Sequence, residues 1–347
     1  MFPSARFEPR RAGRQRHLAA WASALSAWAI SVLLLHWFYA THLQREEQAA
    51  EFAALERAAA MAEAVEQGVL RKLDFVEGLH ELLQLRERLD RAGDTAGAAA
   101  IEEHLTAVAR RARFGVQAIG VIRADGVLHW STAQAPGAQP VSVAEREYFA
   151  VHRDGKRELH VSALTIGRTS AIRWSMHLTR ALEDRSGNFA GVALVSLDPI
   201  ELSKKLGALH AGHGEASVVL RLDDGALLAL GAPEERRFLG GALPEEAVLF
   251  QLMRAERAGR ARVWSHLSGR ELLFGYRTVS GAPLAVAYGL DAEQELAPIR
   301  ALRRSAQASM AIAATLSLMI LLLVLWWMPP TRARASLPAG LAERAPG

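Results

Sequence analysis

Four arginines, Arg146, Arg168, Arg173 and Arg180, fall in one stretch of the chain. Each offers a planar fork of donors that matches a carboxylate or a phosphate. Several of them converging on one pocket would favour an anionic ligand. The structural alternative is that Arg146 and Arg180 pair with Glu145, Glu147 or Asp184. Within AIRWSMHL, period-two alternation puts Arg173, Ser175 and His177 on one face and Ile172, Trp174, Met176 and Leu178 on the other. Trp174 then either lines an apolar pocket wall or fills the core behind a sheet. Tyr148, Phe149 and His152 follow Arg146 closely, so that one aromatic ring could cover a ligand while the other packs. Asp198 precedes Pro199 and suits a helix N-cap.

Catalysis finds little support. HExxH, GxSxG and Gly-rich phosphate loops do not occur. Asp125-Gly126 and Asp224-Gly225 suit hairpins and need no chemistry. His210 and His213 sit in ALHAGHGEA, which reads as a linker rather than a metal site. With no cysteine in the chain, thiolate ligands and Cys nucleophiles are excluded. The residues imply no cofactor and no metal. A net charge of +4 is small for 347 residues and gives no sign of a nucleic-acid partner.

Two apolar runs, residues 18–40 and 309–328, lack Lys, Arg, Asp and Glu. As helices of about 20 residues each would span roughly 30 Å, a hydrocarbon thickness. Trp21, Trp37, Trp326 and Trp327 lie near their ends, as in an aromatic belt. Five arginines (Arg6, Arg10, Arg11, Arg14 and Arg16) precede the first run, which places that side in the cytoplasm. Both termini are then cytoplasmic, and residues 41–308 lie on the other side of the membrane.

Between the runs, residues 41–93 read as a long helix with a stripe at Phe52, Leu55, Ala59, Ala62, Val65, Val69, Leu73, Val76, Leu79 and Leu83. Its length suggests a stalk or a dimer seam over residues 41–92. A second helix is expected at 98–113. Alternating strands follow, with a short helix over SVAEREYFAVHRDG capped by Ser142, then strands in ELHVSALT, AIRWSMHLTRAL and NFAGVALVSLD. A second set repeats the pattern: a strand pair in ASVVLRLDDGALLALG, a helix at 244–258, and strands in ARVWSHL, ELLFGYRTV and PLAVAYGL. The fold class expected is α+β: a long N-terminal helix, then two antiparallel-sheet modules in tandem, flanked by two transmembrane helices.

SVAEREYFAVHRDG, LTIGRTSAIRWSMHLTRAL and GNFAGVALVSLDPIELSKKL, in that order, resemble the membrane-distal half of double CACHE sensor domains. LRLDDGALLAL, LSGRELLFGYRTV and PLAVAYGLDAEQEL resemble the proximal half. The resemblance spans residues 41–305 and implies PAS-like modules at 114–209 and 210–295. Around them lie a basic N-terminus (1–17), a span (18–40), a helical stalk (41–113), a connecting helix (296–308), a second span (309–328) and a disordered tail (329–347). It further implies that Arg146 matches a recurring Arg, that the distal module binds a small molecule, and that the stalk dimerises. Asp198 stands near the acidic residue that holds the ligand's amino group in amine-binding members. The full amino-acid-binding pattern is not present. A ligand-binding set of Arg146, Tyr148, Phe149, His152, Arg168, Arg173, Trp174 and Asp198 follows. The function implied is a non-enzymatic extracytoplasmic sensor that signals through its second span to a separate kinase or diguanylate cyclase. A non-catalytic interaction protein, using the sensor scaffold to bind another protein, is the alternative.

Overall fold

The computed structural model describes residues 9–111, 115–135, 137–166, 174–210, 212 and 214–327, with side chains from residue 18. Arg168, Arg173 and His213 lie outside the described residues. The chain divides into two compact units, residues 49–297 and the flanking 1–48 with 298–347.

The flanking unit holds the start of helix α1 (Pro9–Arg91) and most of α6 (Ala292–Trp327). Trp28 Nε1 donates to Ser317 Oγ at 3.0 Å, and Arg300 and Arg303 lie 3.7 and 3.5 Å from Glu47. Leu33, Trp37, Phe38, Ile312, Ile320 and Leu323 are exposed. Both helices are long and apolar enough to cross a bilayer, and their apolar stretches are almost wholly exposed. Water does not tolerate such a surface, whereas lipid requires it. Pro298 lies inside α6.

Residues 49–297 carry two antiparallel sheets. The first contains β1 (Val116–Arg123), β2 (Leu128–Ser131), β3 (His160–Val161), β4 (Thr165–Ile166), β5 (Trp174–Glu183) and β6 (Phe189–Leu197), ordered β2-β1-β6-β5-β3 with β4 also paired to β5. The second contains β7 (Ala216–Arg221), β8 (Leu227–Leu230), β9 (Ala258–Ser265), β10 (Arg270–Val279) and β11 (Leu284–Asp291), ordered β8-β7-β11-β10-β9. Leaving out β4, both sheets have the same order: second strand, first, last, fourth, third. Helix α2 (Thr95–Arg110) follows α1, α3 (Glu147–Arg153) precedes β3, α4 (Pro199–Gly207) follows β6, and α5 (Val248–Ala255) precedes β9.

Strand alternation divides the core. Leu178 and Leu182 of β5, with Val219, Leu273 and Val286 of the second sheet, share one cluster with Ala54, Ala58, Val69, Val76, Leu79 and Leu83 of α1. The opposite faces pack separately, the first against Tyr148 and Phe149 of α3 and the second against Leu249, Phe250 and Met253 of α5. Alanine on α1 is what allows close approach to the second sheet. A Cβ added at Gly275 of β10 would overlap the backbone of Ala58 and Ala59. Ion pairs flank this contact: Arg260 with Glu56, Arg262 with Glu51, and Arg277 with Glu66.

Several expectations shift. The stalk and the first span form one helix from Pro9, and its buried stripe starts at Ala54 and Ala58 rather than Phe52, which is exposed under the Arg260 guanidinium. α2 begins at Thr95, where the Asp94 side chain accepts from Gly97 N. α3 is shorter than expected, with Arg146 and not Ser142 at its N-cap. ELHVSALT forms two short strands. Between them the Ser162 hydroxyl accepts from His177 N at 3.1 Å, so a side chain replaces part of the ladder. The helix expected at 244–258 is confined to α5.

Candidate functional site

β5 and β6 present polar side chains toward α3. In register, His177 faces Ser196 and Thr179 faces Leu194. His177 is buried; its Nδ1 lies 2.8 Å from Ser196 Oγ and its Nε2 lies 3.0 Å from Thr165 Oγ1. Burial, and then the charge of Arg146, push its pKa down to about 4. It is therefore neutral at pH 7, donating through one nitrogen and accepting through the other. Because both partners are hydroxyls, either tautomer is satisfied. The Tyr148 ring lies 4.6 Å from the His177 ring. One turn on, His152 Nδ1 donates to Lys156 O at 2.8 Å, which leaves Nε2 to accept from the Thr179 hydroxyl at 3.0 Å. Its pKa is also lowered, chiefly by burial.

Arg146 is the N-cap residue of α3, and its charge reaches His177. Its backbone carbonyl accepts from Phe149 N and Ala150 N, which fixes its place at the head of α3. Its Nε lies 3.6 Å from Glu145 Oε1, is buried, and has no hydrogen-bond partner among the described residues. A guanidinium with a buried, unsatisfied N–H beside a neutral imidazole and a phenol ring is equipped to take an oxyanion.

The other expected residues divide. Tyr148 and His152 join Arg146. Phe149 is buried with Ile122, Val192 and Leu194 in the apolar base. Trp174 lies on the far side of β5 from His177 and is 41% exposed. A Cβ at Gly240 of the second module would sit 3.0 Å from its ring, so it marks the junction between modules rather than the core. Asp198 caps α4, accepting from Ile200 N at 2.8 Å and Glu201 N at 3.3 Å. Arg180 pairs with Glu77 of α1 on the opposite face of the sheet. The described residues contain no group of three or more His, Cys, Asp or Glu that could hold a metal ion.

Sequence reasoning missed Thr165, Thr179 and Ser196, which complete the polar face, and a link between the modules. Glu147, the first residue of α3, accepts from Arg221 Nη1 at 2.7 Å and lies 3.3 Å from His160 Nε2. These contacts hold its carboxyl below the usual range. Arg221, at the end of β7, is buried; it also donates to Val161 O at 3.1 Å and to both oxygens of Asp224. The only signal in the sequence was the three-residue spacing of Arg221 and Asp224 at the hairpin.

No protein-family model and no curated protein matches the sequence. Solved structures do match. The extracellular domain of a histidine kinase (rpHK1S-Z16) is 22% identical with a TM-score of 0.56, and the match covers 70% of this chain and 95% of that one. A domain of a sensory box/GGDEF family protein from Vibrio parahaemolyticus is 18% identical with a TM-score of 0.53, covering 71% and 99%. The ligand-binding domain of the Pseudomonas fluorescens chemoreceptor CtaA, solved with L-isoleucine, is 13% identical with a TM-score of 0.53, covering 73% and 98%. The region between the two apolar helices therefore has the fold of the double CACHE-type sensor domains of histidine kinases and chemoreceptors.

Proposed function

We propose that the chain is a two-pass inner-membrane sensor with both termini cytoplasmic. Its two sheets are tandem PAS-like modules in the periplasm, and the first binds a small carboxylate-bearing ligand. The chain works as a non-catalytic homodimer through residues 41–92. It passes the binding signal along α6 to a separate effector such as a kinase or a diguanylate cyclase. The shared strand order of the two sheets supports the tandem reading. The observation that carries the ligand class is the buried, unsatisfied Nε of Arg146 beside His177 and Tyr148. Arg168 and Arg173 are proposed as further anion contacts.

An amino acid, the ligand named for CtaA, would also need a partner for its ammonium group. Asp198 is the residue the family suggests, but its carboxylate is engaged in capping α4. A carboxylate without an amino group fits these residues better. Titration calorimetry on the full chain in lipid nanodiscs, against mono- and dicarboxylates and amino acids, tests this. Saturable carboxylate binding that falls at least about tenfold in Arg146→Gln is expected, since a charged hydrogen bond is worth ~1.5–3 kcal/mol. Carboxylate binding unchanged by that substitution, or none from a folded protein, refutes the reading.

A further inference from the structure

The second module carries its own cavity, on the face away from α1. β7 contributes Ala216, Ser217 and Val218 to its wall, Phe274 comes from β10, and Leu243 and Leu249 close it from the α5 side. Two ionisable groups face this largely apolar lining, the exposed His266 at its edge and one buried carboxylate. Glu235, from the 3-10 turn Pro233–Phe238, lines the cavity and is only 3% exposed. Among the described residues its carboxylate has no hydrogen bond and no ion pair. Arg270, whose charge reaches it, is bound to Asp291 at 2.8 Å. The hydroxyl of Ser217 is engaged with His210 Nε2 at 2.9 Å. Burial pushes the Glu235 carboxyl up to about 7, with the neighbouring Glu234 adding to the shift.

A carboxylate placed in an apolar cavity without a partner is strongly unfavourable. It becomes favourable when a cation with N–H donors occupies the space in front of it. The free space is about 20 Å³, against the ~10–15 Å³ that a single water needs. That admits a primary ammonium and its first carbon, and the rest of an alkyl chain leaves the cavity along the exposed Trp264 at its edge. The space rejects a guanidinium or a quaternary ammonium by size. A divalent metal would need three or more protein ligands, and the lining offers one carboxylate and one imidazole. The apolar walls favour an alkyl chain over further polar groups.

We infer that the second module is a binding site for a primary alkylammonium, with Glu235 receiving the ammonium and the Ala216, Val218, Leu249 and Phe274 walls receiving the first carbons. This site is separate from the Arg146 cluster and selects the opposite charge. A chain with both would read two chemically distinct small molecules.

The test is calorimetry on the full chain in nanodiscs with n-butylammonium, tetramethylammonium and n-butanol as probes, at a pH above 7 so that Glu235 is ionised. The site predicts saturable n-butylammonium binding, at least about tenfold weaker tetramethylammonium binding, and none for butanol. Glu235→Gln lowers butylammonium affinity at least about tenfold, while Glu234→Gln, at the exposed neighbour, leaves it unchanged. Because Gln removes an unpaired buried charge, Glu235→Gln unfolds no lower than the parent without ligand, which confirms that it is folded. Absent butylammonium binding, equal affinity for the quaternary ion, or binding that survives Glu235→Gln each overturns the site.

Discussion

Removing Arg221 cuts the link between the two modules at its centre. Arg221→Ala loses the bond to Glu147, the bond to the Val161 carbonyl and the fork onto Asp224. Breaking a fully buried ion pair costs about 3–5 kcal/mol because one charge is stranded. Here the carboxylates left behind are 45% and 46% exposed and regain water, which screens the loss. Only the Val161 carbonyl is left without its charged donor. The expected cost is therefore ~2–3 kcal/mol, or roughly 5–10 °C in unfolding temperature for a unit of this size. Glu147→Gln leaves Arg221 paired with Asp224 and costs ~1 kcal/mol. The double variant then falls short of the sum by ~0.5–1 kcal/mol, since each single change already removes the shared contact. Thermal unfolding of the four proteins in one detergent measures the cycle. Strict additivity would mean that α3 and the second sheet are not energetically linked through this contact.

Other expectations concern protons, packing and capping. His80 and His177 have pKa values lowered to about 4 from 6.5, in both cases mainly by burial. The unfolded chain binds their protons first, so their stabilisation is complete above pH 6.5 and is lost as the pH falls toward 4, by up to ~3 kcal/mol each. Glu235, raised from 4.5 to about 7, acts with the opposite sign, its contribution declining as the pH rises from 4.5 to 7. Glu235→Gln should therefore steepen the rise in stability between pH 4.5 and 6.5, measured by denaturation across that range; a shallower slope contradicts the assignment. Gly275→Ala should cost at least ~3 kcal/mol, because α1 backbone and not a side-chain tip occupies the space. Gly78→Ala, in α1 with nothing within 4 Å of the added Cβ, should stabilise by ~0.5–1 kcal/mol. Equal effects in these two melts would refute the packing described. Asp198→Ala should cost ~1 kcal/mol through the lost cap and leave ligand affinity unchanged; calorimetry showing a large affinity loss would restore its role as a ligand contact.

The parts of the fold readable in the sequence were those set by local pattern. Short apolar runs bounded by turn residues marked β6 in NFAGVALVSLD and β11 in PLAVAYGL, both buried along nearly their whole length, and charge-free length marked both candidate spans. The stripe of α1 is buried as expected at Ala62, Val65, Val69, Val76, Leu79 and Leu83, and only its start differs, where Ala54 and Ala58 are buried in place of Phe52. They are buried because Gly275, more than 200 residues later, lets the helix approach. In the candidate site, Arg146, Tyr148 and His152 were visible as neighbours in sequence. Thr165 and Ser196 were not, since strand pairing brings them to His177, and neither was Thr179, which the packing of α3 on β5 brings to His152. Trp174 was misplaced for the same reason: what it packs against is Gly240, in the other module. Glu147 with Arg221, 74 positions apart, left no local trace.

The account rests on residues 49–297 lying outside the cytoplasmic membrane. The chain has no cysteine, so a single one reports its own location. Arg185→Cys, in the exposed turn between β5 and β6, should be labelled by a membrane-impermeant maleimide in intact cells with a permeable outer membrane. Labelling that appears only after the inner membrane is broken would place the sensor fold in the cytoplasm and contradict the account.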